Sequence, residues 1–362
     1  MANKIIIAGG GTGGHIFPAI AIANAIKQQQ PNADILFIGA AGKMEMEKVP
    51  QAGYPIKGLA IAGFNRNSFL KNIRLPFKII KSFFQVRSII NQFNPTAVVG
   101  VGGYSSFPVL RLAQSKGIPT FIHESNSFAG KANMMLGKKA IKIFVASEGM
   151  EIFFPANKII ITGNPVRSSI AHTSIIKSEA IQFFGLDAAK KTVLIVGGSL
   201  GAKSINDAIA NHLETTDEQG LQLIWQTGKN NANHYKLIAL GKQNIWVGEF
   251  ITQMEMGYVA ADIVISRAGA MAVTELCVAG KPTIFVPYPF AAEDHQTANA
   301  IALVNKQAAI MIKDSDVNEA LVNTVIELSK NELLQQVLKQ NISALAIKNA
   351  DEIIAKQILS SI

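Results

Sequence analysis

Each half of the sequence opens in the same way. Ile5-Ile6-Ile7-Ala8 runs into Gly9-Gly10-Gly11-Thr12-Gly13-Gly14-His15, and Val193-Leu194-Ile195-Val196 runs into Gly197-Gly198-Ser199-Leu200-Gly201-Ala202. A short apolar strand, a glycine-rich turn and a helix make the start of a βαβ unit. Val/Ile-rich runs alternate with helical patterns through the rest of each half, which argues for parallel sheets flanked by helices. The expected fold class is α/β: two Rossmann-like domains whose parallel sheets face each other across a cleft. Strands are expected at 4–8, 34–38, 97–101, 120–123, 141–146 and 159–162, then at 192–196, 221–227, 245–247, 263–266, 283–286 and 308–312. Gly163-Asn164-Pro165-Val166-Arg167 reads as a linker, and the expected domains are 1–163 and 164–340. Residues 341–362 are expected to form a helix that packs back toward the N-terminal domain.

A chain of 362 residues agrees with two domains, and 49% hydrophobic content suffices for two large cores. No apolar run approaches the roughly 18 residues that suggest a spanning helix. The N-terminus reads as a strand and not as a signal peptide, because no basic lead precedes a long apolar stretch. A single cysteine, Cys277, excludes an internal disulfide and fits a reducing compartment; it is expected in the core of a helix, not as a nucleophile. The net charge of +9 is uneven. Residues 1–166 hold 18 Lys and Arg against 6 Asp and Glu, while residues 167–362 hold 16 against 19. A basic half implies an anionic partner.

The first glycine loop invites a dinucleotide reading, since Gly9-x-Gly11-x-x-Gly14 fits G-x-G-x-x-G. That reading needs an acid at the end of the second strand to grip a ribose. Asp34 opens the second run and no acid closes it, so the loop fails the test. It still suits something polar or anionic, with a helix N-terminus behind it. His15 is the adjacent group able to exchange a proton near neutral pH. The second loop resembles a P-loop at Gly197-x-x-x-x-Ala202-Lys203-Ser204, but Ala202 occupies a required glycine and no clear metal-binding acid ends a following strand. A purely structural turn competes there. Three further segments follow strands: Gly102-Gly103-Tyr104, His123-Glu124-Ser125-Asn126, and Ser266-Arg267-Ala268-Gly269-Ala270, whose helix carries Glu275. Ligands of open α/β sheets bind beyond such strand ends. Gln296 and Asn299, after Asp294, exceed what a helix cap needs.

The stretch Phe64–Phe84 mixes aromatic and aliphatic groups with Lys and Arg, and no acid occurs between Glu47 and Glu124. Such a segment suits an anionic membrane surface. A plain helix with Phe77, Ile80 and Phe84 facing the sheet is the competing reading. RNA is the rival for the charge, but the stretch lacks the aromatic platform that stacking demands, so no nucleic-acid partner is expected.

Taken in order, Gly10-Gly11-Thr12-Gly13-Gly14-His15, Gly102-Gly103-Tyr104, His123-Glu124-x-Asn126, Gly163-Asn164-Pro165-Val166-Arg167, Gly197-Gly198-Ser199-x-Gly201-Ala202, Arg267-Ala268-Gly269-Ala270 with Glu275, and Asp294-His295-Gln296 with Asn299-Ala300 span essentially the whole chain. This series resembles the MurG family, bacterial UDP-N-acetylglucosamine transferases of peptidoglycan synthesis within glycosyltransferase family 28. The resemblance implies the GT-B fold, with an N-terminal acceptor and membrane-facing domain and a C-terminal UDP-GlcNAc-binding domain. It implies transfer of GlcNAc from UDP-GlcNAc to the C4 hydroxyl of MurNAc in lipid I, with inversion, giving lipid II at the cytoplasmic face of the inner membrane. Ser199 and the backbone of Ile251 would contact the nucleotide, Glu275 the ribose and Gln296 the sugar. The helix start near Gly269 would face the diphosphate, and Ala270, Met271, Val273 and Thr274 belong to the same substrate-binding set. Arg167 matches a donor-contacting arginine. Thr12, Gly13, Gly14 and Asn126 match positions at the donor sugar and the acceptor side. His15 is the expected base, with Glu124 as the alternative. No cofactor and no protein-bound metal are expected, since helix N-termini and Arg167 could stabilise the leaving group without one. Three positions depart from the family pattern: Leu200 stands for Gln, Ala272 for Thr and Ser125 for Gln. Two other readings stay open, another GT-B transferase using a UDP-sugar on a lipid acceptor, and a UDP-sugar epimerase-like or non-catalytic binding protein.

Overall fold

Ile5 and Ile7 join one hydrophobic cluster while Ile6 and Ala8 join another, and all four are fully buried. A strand buried on both faces reads as a continuous apolar run, which is why this segment shows no polar alternation. Each isoleucine so placed contributes about 1.5–3 kcal/mol. The computed structural model describes residues 3–61, 75–291 and 294–362. The chain divides into two compact units, Met1–Arg167 with Ile347–Ile362, and Ser168–Ala346.

The first unit contains seven strands: β1 (Lys4–Ala8), β2 (Asp34–Ala40), β3 (Ile56–Leu59), β4 (Ala97–Gly100), β5 (Thr120–Glu124), β6 (Lys142–Val145) and β7 (Ile159–Ile161). Their spatial order is β3-β2-β1-β4-β5-β6-β7, all parallel. The second unit contains β8 (Lys191–Val196), β9 (Leu221–Gln226), β10 (Ile245–Gly248), β11 (Ile263–Ser266), β12 (Thr283–Phe285) and β13 (Ile310–Met311), in the parallel order β10-β9-β8-β11-β12-β13. Both orders reverse direction beside their first strand, between β1 and β4 and between β8 and β11. Such a reversal leaves a crevice beyond the strand ends, where ligands of doubly wound sheets bind. Both glycine loops leave the sheet at these crevices.

All twelve expected strands form, with ends shifted by one or two residues. β3 was not expected. Ile56-Lys57-Gly58-Leu59 is short and carries a lysine and a glycine, so its apolar signal is weak; it sits at the sheet edge, where a lysine is tolerated. The helix Val317–Lys330 buries Val317, Leu321, Val322, Val325 and Leu328 in the core of the second unit. The helix Ala350–Leu359 lies in the first unit, where Ile354, Ala355 and Ile358 join the cluster under the helix Gly13–Gln29.

The helix Leu75–Phe93 differs from the plain-helix reading. Ser82, Val86 and Ile90 are its buried positions, while Phe77, Ile80 and Phe84 are 74%, 55% and 68% exposed. The spacing of 77, 80 and 84 does mark one face, but a second apolar stripe at 86, 89, 90 and 93 takes the sheet. The remainder of the basic stretch, residues 64–74, lies outside the described residues.

Candidate functional site

Residues at the β1/β4 switch point crowd together. Gly10, Gly11, Gly102 and Gly103 have φ of 141°, 92°, 94° and 84°. At Gly103 a Cβ would collide with the Gly10 carbonyl, and at Gly102 one would meet the His15 ring at 2.8 Å. Glycine is therefore required for the two loops to close on each other. Thr12 precedes the helix Gly13–Gln29 in an extended conformation, and Gly13 and Gly14 form its first turn. His15 follows one residue later.

His15 Nδ1 lies 3.2 Å from the Gly10 carbonyl and 3.3 Å from Thr12 Oγ1. A carbonyl only accepts, so Nδ1 carries the proton and Nε2 keeps the lone pair. Burial pushes the imidazole pKa down from its ordinary value; Glu124, the Gly10 carbonyl and Glu45 pull the other way and are outweighed. The ring is thus neutral at pH 7, in the state a general base needs. His123 on β5 is fully buried, and burial with the nearby His15 lowers its pKa to about 4.

One carboxylate already sits against the first loop from within the protein. Glu45, 1% exposed, reaches back from the helix Glu45–Gln51, and its Oε2 accepts from Gly11 N at 3.0 Å while Oε1 accepts from Ala40 N at 2.9 Å. Sequence reasoning missed it, because the search for an acid stopped at the end of β2. The signal lay in Gly10 and Gly39, where a Cβ would run into Glu45. Glu124 is equally engaged. Its Oε1 accepts from the backbone and side-chain nitrogens of Asn126 at 3.1 and 3.2 Å, and its Oε2 from Gly130 N and Asn133 Nδ2 at 3.1 and 2.8 Å. Four donors occupy its lone pairs, so its place is to fix the Asn126 turn. Arg167 stacks its guanidinium on Phe17, 5.3 Å from the ring centre.

In the second unit the loop Gly197–Ala202 is braced by backbone. Lys229 N donates to Ser199 O and Asn230 N to Leu200 O, and Gly228 approaches too closely for any side chain. The P-loop reading fails on geometry: Lys203 pairs with Asp207, and Ser204 donates to Asp314. Arg267 is tied to Asp314 at 2.6 Å, to Ser204 Oγ at 3.0 Å, and to the carbonyls of Val286 and Pro287. Its motif position is thereby structural. A cavity of about 320 Å³ lies over this network, lined in part by Leu200, Lys203, Asn230 and Tyr288.

The other junction is built differently. Gly269 caps the helix Ala270–Ala279 in an extended conformation, with open space where a Cβ would stand. Ala270, Met271, Val273 and Thr274 form the opening turns and are half-buried. Buried Glu275 accepts from Tyr258 OH at 3.0 Å. Gln296 Oε1 accepts from Tyr288 N at 3.0 Å, and Asn299 Nδ2 donates to Ala268 O at 3.0 Å, which pins the helix start from the side. The Ile251 amide is taken by Gln226 Oε1 at 2.9 Å, leaving its carbonyl as the backbone group able to meet a ligand. Ser199 is exposed at the tip of its loop. Burial raises the Cys277 thiol to about 12, which removes it as a nucleophile. Among the described residues no cluster of three or more His, Cys, Asp or Glu is placed to hold a metal ion.

The predicted residues therefore fall into two sets. Thr12, Gly13, Gly14, His15, Glu124, Asn126 and Arg167 belong to the first unit. Ser199, Ile251, Ala270, Met271, Val273, Thr274, Glu275 and Gln296 belong to the second.

Comparison with known proteins bears on both units. Residues 5–145 match the glycosyltransferase family 28 N-terminal domain, and residues 192–358 match the C-terminal domain of the same family. The chain is 52% identical over 358 residues to the Phocaeicola vulgatus protein named UDP-N-acetylglucosamine--N-acetylmuramyl-(pentapeptide) pyrophosphoryl-undecaprenol N-acetylglucosamine transferase, covering 98% of this chain and 95% of that one. It superposes on the crystal structure of Acinetobacter baumannii MurG with a TM-score of 0.79 and 30% identity, over 99% of each chain. The UDP-GlcNAc 2-epimerase of Neisseria meningitidis, at 17% identity and a TM-score of 0.69 over 99% of this chain and 100% of that one, shares the fold alone.

Proposed function

Because the chain belongs to glycosyltransferase family 28, with the GT-B fold, we infer that it transfers GlcNAc from UDP-GlcNAc to the C4 hydroxyl of MurNAc in lipid I, giving lipid II for peptidoglycan synthesis. The near-full-length likeness to a transferase of that name carries the reading. Inversion at the anomeric carbon takes one in-line displacement. The acceptor oxygen attacks C1 of GlcNAc, the bond from C1 to the diphosphate oxygen breaks, and its electron pair leaves with UDP. The acceptor proton goes to His15 Nε2, which is neutral and unoccupied by the anchoring bond at Nδ1. Thr12, Gly13, Gly14 and Asn126 shape the acceptor side around it. In the second unit the free amides at Gly269–Met271 meet the diphosphate, where a helix N-terminus offers about half a positive charge. Arg167, in the first unit, keeps the donor contact that the family resemblance implies. Glu275 accepts from the ribose, Gln296 holds the sugar, and Ser199 with the Ile251 carbonyl meets the nucleobase side.

Purified protein incubated with labelled UDP-GlcNAc and a lipid I analogue tests this directly. Label should appear in the lipid product; label remaining in UDP-GlcNAc, or released as free sugar or UDP-ManNAc, would sink the reading in favour of an epimerase or a binding protein.

Attachment to an anionic membrane surface completes the proposal. Support comes from the exposed Phe77, Ile80 and Phe84 beside exposed Lys78 and Lys81 on the helix Leu75–Phe93. No described helix is long and apolar enough to cross a membrane, so attachment would be peripheral, on the cytoplasmic face. Binding to anionic vesicles should weaken by about 1 kcal/mol for each lysine removed. Sedimentation with such vesicles that ignores Lys78→Glu and Lys81→Glu would exclude this face.

A further inference from the structure

We propose that Glu45 is the positioning carboxylate of His15, acting through the single peptide group that joins Gly10 to Gly11. Both ends of that group are engaged. Its N–H, on Gly11, donates to Glu45 Oε2 at 3.0 Å, and its C=O, on Gly10, accepts from His15 Nδ1 at 3.2 Å. Carboxylate, peptide and imidazole thus stand in one row of hydrogen bonds, each polarising the next. Negative charge at the N–H pushes electron density onto the Gly10 oxygen, which then holds Nδ1–H more firmly. Nδ1 keeps its proton, Nε2 keeps its lone pair, and the imidazolium formed on proton uptake is stabilised. A carboxylate bound directly to a histidine performs these same tasks in other enzymes; here a peptide is interposed.

The surroundings are shaped for this contact. Glu45 is buried, and its second oxygen is fixed by Ala40 N at 2.9 Å. Gly10 and Gly39 lack side chains where a Cβ would displace it, and Gly10 holds a φ of 141°. Four titratable groups face the loop. Glu45 and Glu124 favour the charged form of His15, His123 on β5 is a second imidazole close enough to be depressed by it, and the Tyr104 ring lies beside Gly11.

The inference rests on His15 being the base, and full-length Glu45→Gln beside His15→Ala tests it. Glu45→Gln should lower kcat ten- to a hundredfold, roughly the loss seen when such supporting contacts are removed, with KM for UDP-GlcNAc within about twofold. Losing the negative charge lowers the pKa of His15, so the acid limb of kcat/KM should move to lower pH. A fall in kcat with an unmoved acid limb would make Glu45 a packing residue only, and an unchanged kcat would dismiss it. The wild-type protein supplies a second measurement that needs no variant. Nitrogen-15 NMR should show His15 as the Nδ1–H tautomer, and an Nε2–H tautomer would overturn the relay. Should His15→Ala keep wild-type kcat, the base assignment falls, while the tautomer and the shift of the His15 titration in Glu45→Gln still decide the contact itself.

Discussion

The two glycine-rich loops look alike in sequence and are supported in opposite ways. Loop Gly9–Thr12 is held by side chains: Glu45 takes the Gly11 amide, and His15 takes the Gly10 carbonyl. Loop Gly197–Ala202 is held mainly by backbone, through Lys229 N and Asn230 N, with Gln226 Nε2 donating to Gly198 O at 3.4 Å, and the motif cations Lys203 and Arg267 are paired with Asp207 and Asp314. One strand–glycine–helix motif therefore fixes a titratable side chain, while the other offers an exposed turn carrying Ser199. The helix start proposed for the diphosphate in the second unit belongs to the next switch-point strand, β11. Motif likeness tells where a chain turns, and the groups packed behind the turn tell what the turn is for.

The largest expected effect tests the first loop. His15→Ala should reduce kcat by about 10²–10⁴-fold with little change in KM for UDP-GlcNAc, and steady-state kinetics showing the reverse pattern would move the base elsewhere. Acid should strain the same unit. His123 has a folded pKa of about 4 against an ordinary 6.5. The unfolded chain therefore binds its proton first, and stability is lost as pH falls from 6.5 to 4, by about 3 kcal/mol in all. Urea unfolding at several pH values should show that slope, and His123→Gln should flatten it. For the same reason of burial, the acid limb of kcat/KM should lie below pH 6.5. In the second unit, Glu275→Ala should weaken UDP-GlcNAc binding by about 1.5–3 kcal/mol, the worth of a hydrogen bond to a charged group; calorimetry giving wild-type affinity would remove it from the site. The smallest effect belongs to Lys203→Ala. An exposed pair with Asp207 is worth at most about 1 kcal/mol, so nucleotide affinity should hardly change. A collapse of affinity would revive a P-loop role and erase the contrast between the loops.

The sheets were legible because their strands are buried on both faces and so spell out runs such as Ile5-Ile6-Ile7 and Val193-Leu194-Ile195. β3 was illegible because an edge strand needs less apolar surface. Most candidate site residues were read where polar residues follow a strand, as at His123–Asn126 and Ser266–Glu275. The sequence could not show which of those groups were already occupied. Glu124 reads as an alternative base, yet four donors hold it, and Arg267 stands in a motif beside the expected diphosphate site, yet Asp314 and two carbonyls hold it. Glu45 escaped notice because its helix begins five residues after β2 ends, and only the fold returns its carboxylate to Gly11. On the helix Leu75–Phe93, two apolar stripes competed for the sheet, and periodicity alone did not rank them.

The helix Ala350–Leu359 completes the hydrophobic cluster of a unit that otherwise ends at Arg167. On the ribosome, that core stays open beside Ile22 and Ile26 until synthesis passes residue 358. The second unit has all its own residues earlier. Folding order during translation is thereby inverted: the segment made first is finished last, and it must wait, with apolar surface uncovered, for a piece of chain made nearly two hundred residues later.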